Sequence, residues 1–453
     1  MKVRSLHFDM KGMIPKAGYM QSLTKDIASF GFNHLLVEFE DKFPYRCCPF
    51  ARHPAAYTRK QLAALNSPGL RVIPLLQCAG HLDYLLKYPQ MRELRKNGKW
   101  YQWDMSRPEV FDLWRKMADE ILEVFPDCKY FHIGADEVEM TGPGDFETYV
   151  RHVERCAEYL RKKGKKVIIW DDMFRKHDLS KLQGLLHKTI VQVWQYREVD
   201  EHLVRNLIEA GAEVWGASRI QEDRYYCGMG SQVKMRKNAD DWTEVSAKYG
   251  LQGHTGTIWG RIQSTTPLCA TLPQSMYMIA YLGESLTTGR KPNLTAFHRK
   301  LGDWFGIHSK DIAGLAANFH YEPEAAAKFL KEPSRHGDIM EIWRVLNGMD
   351  CLSAYINDCF SSNNAMFRLY REGGAPPKTT NNYLDGVRII GERVEAMKQE
   401  IDSVLGKYFP PSLLEEFKSE RFDSVLFWNE IQKKELLRAQ KKFSQDFVSP
   451  VGK

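Results

Sequence analysis

Asp136 and Glu137 stand side by side at the end of a short apolar run, Tyr130-Phe131-His132-Ile133-Gly134-Ala135. Neighbouring side chains of a strand point to opposite faces, so adjacent acids can serve one site only where the strand stops and the backbone turns. Two unpaired acids at such a point are costly in a purely structural role, so they ask for a chemical reason. On a solvated loop an Asp-Glu pair needs no explanation. The apolar lead-in and the small Gly134-Ala135 argue instead for the end of a buried strand.

Similar polar endings recur along the first three hundred residues. Apolar runs over residues 3–9, 34–40, 70–77, 130–134, 166–170, 189–194, 212–216 and 256–259 each precede a helical pattern. Eight strands alternating with helices predict a closed (β/α)8 barrel. An open doubly wound sheet is the alternative, but no Gly-x-Gly-x-x-Gly follows the first strand. In a barrel the carboxyl ends of the strands converge on one site. They are His7-Phe8-Asp9-Met10-Lys11, Glu38-Phe39-Glu40-Asp41, Gln77-Cys78-Ala79-Gly80-His81, Asp136-Glu137, Trp170-Asp171-Asp172, Trp194-Gln195-Tyr196, Trp215-Gly216-Ala217-Ser218 and Trp259-Gly260-Arg261. Trp170, Trp194, Trp215 and Trp259 come from consecutive strands and predict an aromatic wall. With carboxylates beside it, such a wall suits a ligand with apolar faces and polar edges, as a sugar ring bearing an acetamido methyl has.

Residues 1–310 are assigned to the barrel and 311–453 to a helical C-terminal region packed on it. Ile339, Ile342, Leu346, Met349, Leu352 and Ile356 fall at helical steps, as do Val387, Ile390, Val394, Met397, Ile401 and Val404. Residues 371–380 read as a loop between those helices, and the tail after Lys434 as frayed at its end. The second stripe could form an oligomer seam and hence a homodimer, but it is short for that, and packing against the barrel is the favoured reading.

Lys and Arg exceed Asp and Glu by 64 − 57 = +7, spread along the 453 residues. The densest run, Arg161-Lys162-Lys163-Gly164-Lys165-Lys166, reads as a basic helix end rather than a nucleic-acid patch. Nine cysteines, scattered and never in a Cys-x-x-Cys pair, argue for reduced thiols inside a cell. The start has no apolar segment of signal-peptide length, and no stretch approaches the ~20 apolar residues of a membrane helix. A cytoplasmic location, with neither nucleic acid nor membrane as partner, is the expectation.

On the motif His132-x-Gly134-x-Asp136-Glu137, the chain resembles the exo-β-N-acetylhexosaminidases of glycoside hydrolase family 20. The stretches Asp9-Met10-Lys11-Gly12, Glu40-Asp41-x-Phe43-Pro44-Tyr45, Gly80-His81, Trp170-Asp171-Asp172-Met173 and Trp259-x-Arg261 are similar to the intracellular hexosaminidase D type. The resemblance spans roughly residues 1–300 and weakens through the helical part. It implies removal of terminal β-linked GalNAc or GlcNAc from a small carbohydrate or glycoconjugate, by a retaining, substrate-assisted mechanism needing no cofactor or metal. Glu137 would be the acid and base, and Asp136 would orient the acetamide. A water-excluding Trp cage would raise the pKa of Glu137, and His81 would form a relay behind it with Glu40 or Asp41. Asp9, Lys11, Glu40, Asp41, His81, Trp170, Asp171, Asp172, Trp194, Tyr196, Trp215, Trp259 and Arg261 would line the sugar site.

The chain departs from the common family pattern at three places. Asp9 and Lys11 stand where an Arg usually ends strand one. Trp215–Ser218 lacks the usual Tyr-x-Asp, for which Tyr196 is the expected substitute hydroxyl, and strand eight ends Trp259-Gly260-Arg261 in place of Trp-x-Glu. These positions bear on sugar hydroxyls, so the GalNAc or GlcNAc preference stays open. Three other readings compete: a metal-dependent hydrolase built on His7 and Asp9, a non-catalytic sugar-binding barrel, and a conventional two-carboxylate glycosidase with Asp172 or Glu40 as nucleophile.

Overall fold

The computed structural model describes residues 1–221, 231–261, 267–268, 272–318, 322–331, 333–370 and 374–448. Eight parallel strands close into a barrel in sequence order: β1 (Val3–Asp9), β2 (His34–Glu38), β3 (Arg71–Leu75), β4 (Tyr130–His132), β5 (Lys166–Trp170), β6 (Thr189–Trp194), β7 (Glu213–Arg219) and β8 (Gly253–Thr257). β8 closes the ring on β1, with Gly253 opposite Val3 and Gly256 opposite Leu6.

Each strand is buried on both faces, so apolar residues run almost continuously along it. The inward set includes Val3, Leu36, Ile73, Tyr130, Ile168, Ile190 and Trp215. The outward set joins the helices in one large core. β8, Gly-His-Thr-Gly-Thr, has no apolar run. Its small residues receive large neighbours instead: a Cβ on Gly253 would meet the Trp215 ring at 2.2 Å, and one on Gly256 would meet Leu282 at 2.5 Å. The apolar pattern therefore places this strand three residues too late.

After the barrel come the helices Met276–Thr288, Leu294–Phe305, Ser309–Asn318, Gly337–Tyr370, Pro377–Val404 and Pro411–Val448, with shorter turns between. The stripe Val387, Ile390, Val394, Met397 and Ile401 is buried. It lies between the two other long helices rather than against the strands, which corrects the expected packing on the barrel. The expected loop over 371–380 ends sooner, because helix begins at Pro377; residues 371–373 lie outside the described set. The tail after Lys434 is helical through Val448, and its end, residues 449–453, lies outside the described set. No helix among the described residues is long and apolar enough to cross a membrane.

Candidate active site

The acid pair is aimed by a run of unusual backbone. Beyond β4, Gly134, Ala135 and Glu137 take positive φ of 63°, 70° and 49°. For Ala and Glu this left-handed backbone costs on the order of 1 kcal/mol or more each, so neighbours must hold it. The Trp170 N–H donates to the Gly134 carbonyl (3.1 Å), the Ala135 N–H to Gln77 Oε1 (3.2 Å), the Tyr149 hydroxyl to the Ala135 carbonyl (2.9 Å) and the Glu137 N–H to Asp172 Oδ2 (2.8 Å). This turn brings two adjacent side chains to one site. At Gly134 the backbone also presses on Gln77, whose Oε1 would stand 1.7 Å from a Cβ placed there.

His81, itself at φ 52°, joins the pair. Its Nε2 lies 3.2 Å from Asp136 Oδ2 and 3.3 Å from Glu137 Oε2. Burial alone would lower the His81 pKa, but Asp136 and Glu137 overcome that and hold it well above the usual imidazole value. Glu137 moves the other way. The hydrogen bond from His81 holds its carboxyl below the usual range against the upward push of burial, and its side chain is 56% exposed. The expected water-excluding cage with a raised Glu137 pKa is thus not what surrounds it: the acid sits at the mouth beside an imidazolium. The relay partner is corrected too, since His81 meets Asp136 rather than Glu40 or Asp41. Asp136 Oδ1 is buried with no hydrogen-bond partner among the described residues.

Asp9, Lys11 and Glu40 lie one layer deeper. Lys11 Nζ stands 3.1 Å from Glu38, 3.5 Å from Glu40 and 3.5 Å from Asp9, and 5.1 Å from the Trp259 ring centre. Burial would lower the Lys11 pKa, yet Asp9, Glu38 and Glu40 together hold it well above the ordinary value, so it stays charged. Both Asp9 oxygens are taken by backbone N–H groups, of Lys11 (2.9 Å) and Gly260 (2.8 Å), so Asp9 pins the exit of β1 to that of β8. Glu38 also meets His7 Nε2 at 3.3 Å and accepts from Gln77 at 3.3 Å. Glu38 and Gln77 join this cluster, although the sequence reading, which placed both at strand ends, did not count them among the sugar-site residues. Their signal was a polar side chain closing a buried apolar run, Leu35-Leu36-Val37-Glu38 and Leu75-Leu76-Gln77.

The aromatic wall has three tryptophans rather than four. Trp170 and Trp259 lie 6.3 Å apart, His7 packs edge-on to Trp259 at 4.7 Å, and the Trp259 indole donates to the Tyr196 hydroxyl at 2.9 Å. Trp194 packs on Tyr196 at 5.3 Å and carries the Arg175 guanidinium over its ring at 4.5 Å. The Trp170 and Trp194 indole N–H groups have no partner among the described residues. Trp215 is not part of the wall. It is the third residue of β7, packs on Tyr130 at 5.0 Å and fills the opposite end of the barrel; the strand runs on to Arg219, beyond the end expected from sequence.

Asp171, Asp172, Asp41 and Arg261 serve as brackets. Asp171 is inaccessible, accepts from the Trp194 N–H (3.0 Å) and pairs with Arg175 (2.8 Å); burial pushes its pKa up to about 7. Asp172 carries the Glu137 N–H, and burial followed by repulsion from Asp136 raises it to about 6. Asp41 pairs with Lys42 at 2.6 Å. Arg261 turns away to Glu416 (2.8 Å) and Glu420 of the C-terminal helix. Asp172 Oδ1 and Arg261 Nε are buried and unpartnered among the described residues.

A closed parallel barrel whose strand exits gather an acid pair, a shared imidazole and an aromatic wall has the constitution of a glycoside hydrolase. Residues 38–255 match the family model described as glycosyl hydrolase family 20, catalytic domain. It is 27% identical over 322 residues to hexosaminidase D of Bos taurus, covering 63% of this chain and 92% of the bovine one. To hexosaminidase D of Homo sapiens it is 28% identical over 323 residues, covering 64% of this chain and 66% of the human one. Among solved structures it shares its fold with the GH20 β-N-acetylhexosaminidase from Streptomyces coelicolor A3(2), with a TM-score of 0.52 and 17% identity over 67% of this chain and 69% of that one. The β-N-acetylhexosaminidase from Bacteroides fragilis NCTC 9343 gives a TM-score of 0.51 and 16% identity over 67% and 69%.

Proposed function

We propose that this chain is an exo-β-N-acetylhexosaminidase that releases terminal β-linked GalNAc or GlcNAc with retention, using the substrate's own acetamide as nucleophile. The observation that carries the reading is the buried Asp136 Oδ1, unpartnered among the described residues, beside an exposed Glu137, with one imidazole touching both acids. A buried carboxylate oxygen without a donor is costly, and an acetamido N–H fits that need.

In this mechanism the acetamide carbonyl oxygen attacks the anomeric carbon as the glycosidic bond breaks. Glu137 gives a proton to the leaving oxygen, drawing on the proton shared with His81. Asp136 accepts from the acetamide N–H and stabilises the positive charge of the oxazolinium. Glu137 then takes a proton from water, which opens the ring and restores the acetamide. The wall of Trp170, Trp194 and Trp259 would face the apolar side of the sugar and its methyl group. The two-carboxylate alternative is less well supported. Asp172 is held behind the pair by the Glu137 N–H, and Glu40 is buried beside Lys11. A cytoplasmic setting is part of this reading, since Cys47, Cys48, Cys78, Cys128, Cys156, Cys351 and Cys359 are all free thiols.

The deciding experiment is hydrolysis of matched nitrophenyl β-GalNAc, β-GlcNAc and β-galactoside, with and without a thiazoline mimic of the oxazoline. Cleavage of the acetamido sugars alone, blocked by the thiazoline, is expected; the ratio of the first two sets the epimer preference. Comparable cleavage of the plain galactoside would overturn neighbouring-group catalysis. Glu137→Gln should lose roughly 10²- to 10⁴-fold in rate on poor leaving groups, the scale of general acid catalysis. Asp136→Ala should be similarly damaging on every substrate.

A further inference from the structure

The C-terminal helix Pro411–Val448 reaches the mouth of the barrel through two acids. Glu416 and Glu420 both grip Arg261, whose side chain is only 8% exposed. Glu420 also accepts from the Leu268 N–H at 2.7 Å, and the Arg421 guanidinium donates to the Leu268 carbonyl. Glu416 lies 3.5 Å from His53, whose N–H donates to the Asp41 carbonyl (2.9 Å). One helix therefore ties the chain after β2 to the chain after β8.

What it ties is the pocket wall. Arg261 follows Gly260, whose backbone packs directly on that of Gly12: a Cβ on Gly12 would fall 2.6 Å from Gly260 Cα. Gly260 in turn follows Trp259. A buried guanidinium tolerates neither loss of its counter-charges nor a long displacement inside the protein. The two acids hold Arg261 two residues beyond Trp259, next to the Gly260 N–H bond to Asp9 that joins the exits of β8 and β1.

We propose that Glu416 and Glu420 are positioning residues of the sugar pocket, holding the β8 exit and its Trp259 in register with the other strand exits. The proposal rests on the reading of that pocket as the sugar site. A wall that contacts the sugar in ground state and transition state alike governs KM more than kcat.

The test compares the full chain with Glu416→Gln/Glu420→Gln, with Arg261→Met, and with Lys418→Met as control. Lys418 sits on the same helix but pairs with Asp402 (2.6 Å) and Glu415 (2.7 Å) of the helical region. The expected result is a KM for the nitrophenyl acetamido sugar raised about tenfold in the first two variants, with kcat within about threefold. Acrylamide quenching of Trp259, read as the difference from the matching Trp259→Phe chain, should rise about twofold as the ring loosens. Lys418→Met should lower the melting temperature and leave KM and quenching unchanged. Folded variants with the parent's KM and Trp259 quenching would overturn the proposal, as would a Lys418→Met chain that reproduced both changes. If the parent cleaved no acetamido sugar, the proposed activity would fall while the quenching comparison still decided the role of the two acids.

Discussion

His81 carries a proton between two carboxylates, and the direction of each shift fixes how activity should respond to pH. Its own pKa stands well above the ordinary imidazole value, so the cluster keeps its proton beyond pH 6.5. Glu137 stands below the ordinary carboxylate range because of that same hydrogen bond. The alkaline limb of kcat/KM should therefore follow loss of the shared proton, at a pH that an isolated glutamic acid could not sustain. His81→Gln removes the largest cause that holds Glu137 down. Burial then pushes Glu137 upward against Lys176 and Arg175 alone, but the acid must keep its own proton. The alkaline limb should move acidward by at least about one pH unit, and the rate at pH 7 should fall roughly 10²-fold. A pH–rate series on both chains checks this. An unmoved alkaline limb would mean that the acidic proton resides elsewhere.

At the scale of elements, the exit of β4 depends on one missing methyl group. Gly134→Ala would drive a Cβ into Gln77 and impose an unfavourable φ of 63° on a residue with a side chain. Gln77 also accepts from the Ala135 N–H and donates to Glu38, so the clash spreads to the buried charges around Lys11. A destabilisation of about 1–3 kcal/mol is expected, with a larger loss of activity than of stability. Urea unfolding and turnover on the same preparation measure both; full activity in a stable variant would show that the turn does not aim the acids. This turn was legible in the sequence because it follows an apolar run and ends in charge. The seven apolar strands were legible for the same reason. β8 was displaced because its burial is achieved by small residues under Trp215 and Leu282, which leave no periodic signal. Trp215 was misassigned because β7 runs to Arg219 through Gly216-Ala217-Ser218, residues that read as a strand end. Glu416 and Glu420 left no trace at all: they meet Arg261 across 155 and 159 positions of chain. On their own helix they look like ordinary surface acids.

Across the whole molecule, acid response is a contest between buried imidazoles and buried carboxyls. Burial lowers His132 and His254 to about 3 and His34 and His152 to about 4. The folded state then binds fewer protons than the unfolded one below pH 6.5, and stability is lost as pH falls. Burial also raises Asp26 and Asp172 to about 6 and Asp171 to about 7. These groups work in the opposite sense, because the folded state binds more protons between pH 3.8 and those values, and stability is lost as pH rises. Between pH 5 and 6.5 the two sets oppose each other, so the net slope understates both contributions. Replacing one acid exposes them. Asp172→Asn keeps an oxygen for the Glu137 N–H and removes a charge that is costly only when ionised. The variant should match the parent only below about pH 3.8, where Asp172 is protonated in both folded and unfolded chains, and gain on it as pH rises from there to about 6. The gain at pH 7.5 should be on the order of 1–3 kcal/mol, from a shift of about two pH units at 1.36 kcal/mol each. Chemical denaturation at about pH 4 and pH 7.5 measures the gap. A gap that does not widen with pH would mean that Asp172 ionises freely, and that its place behind Asp136 has no electrostatic cost.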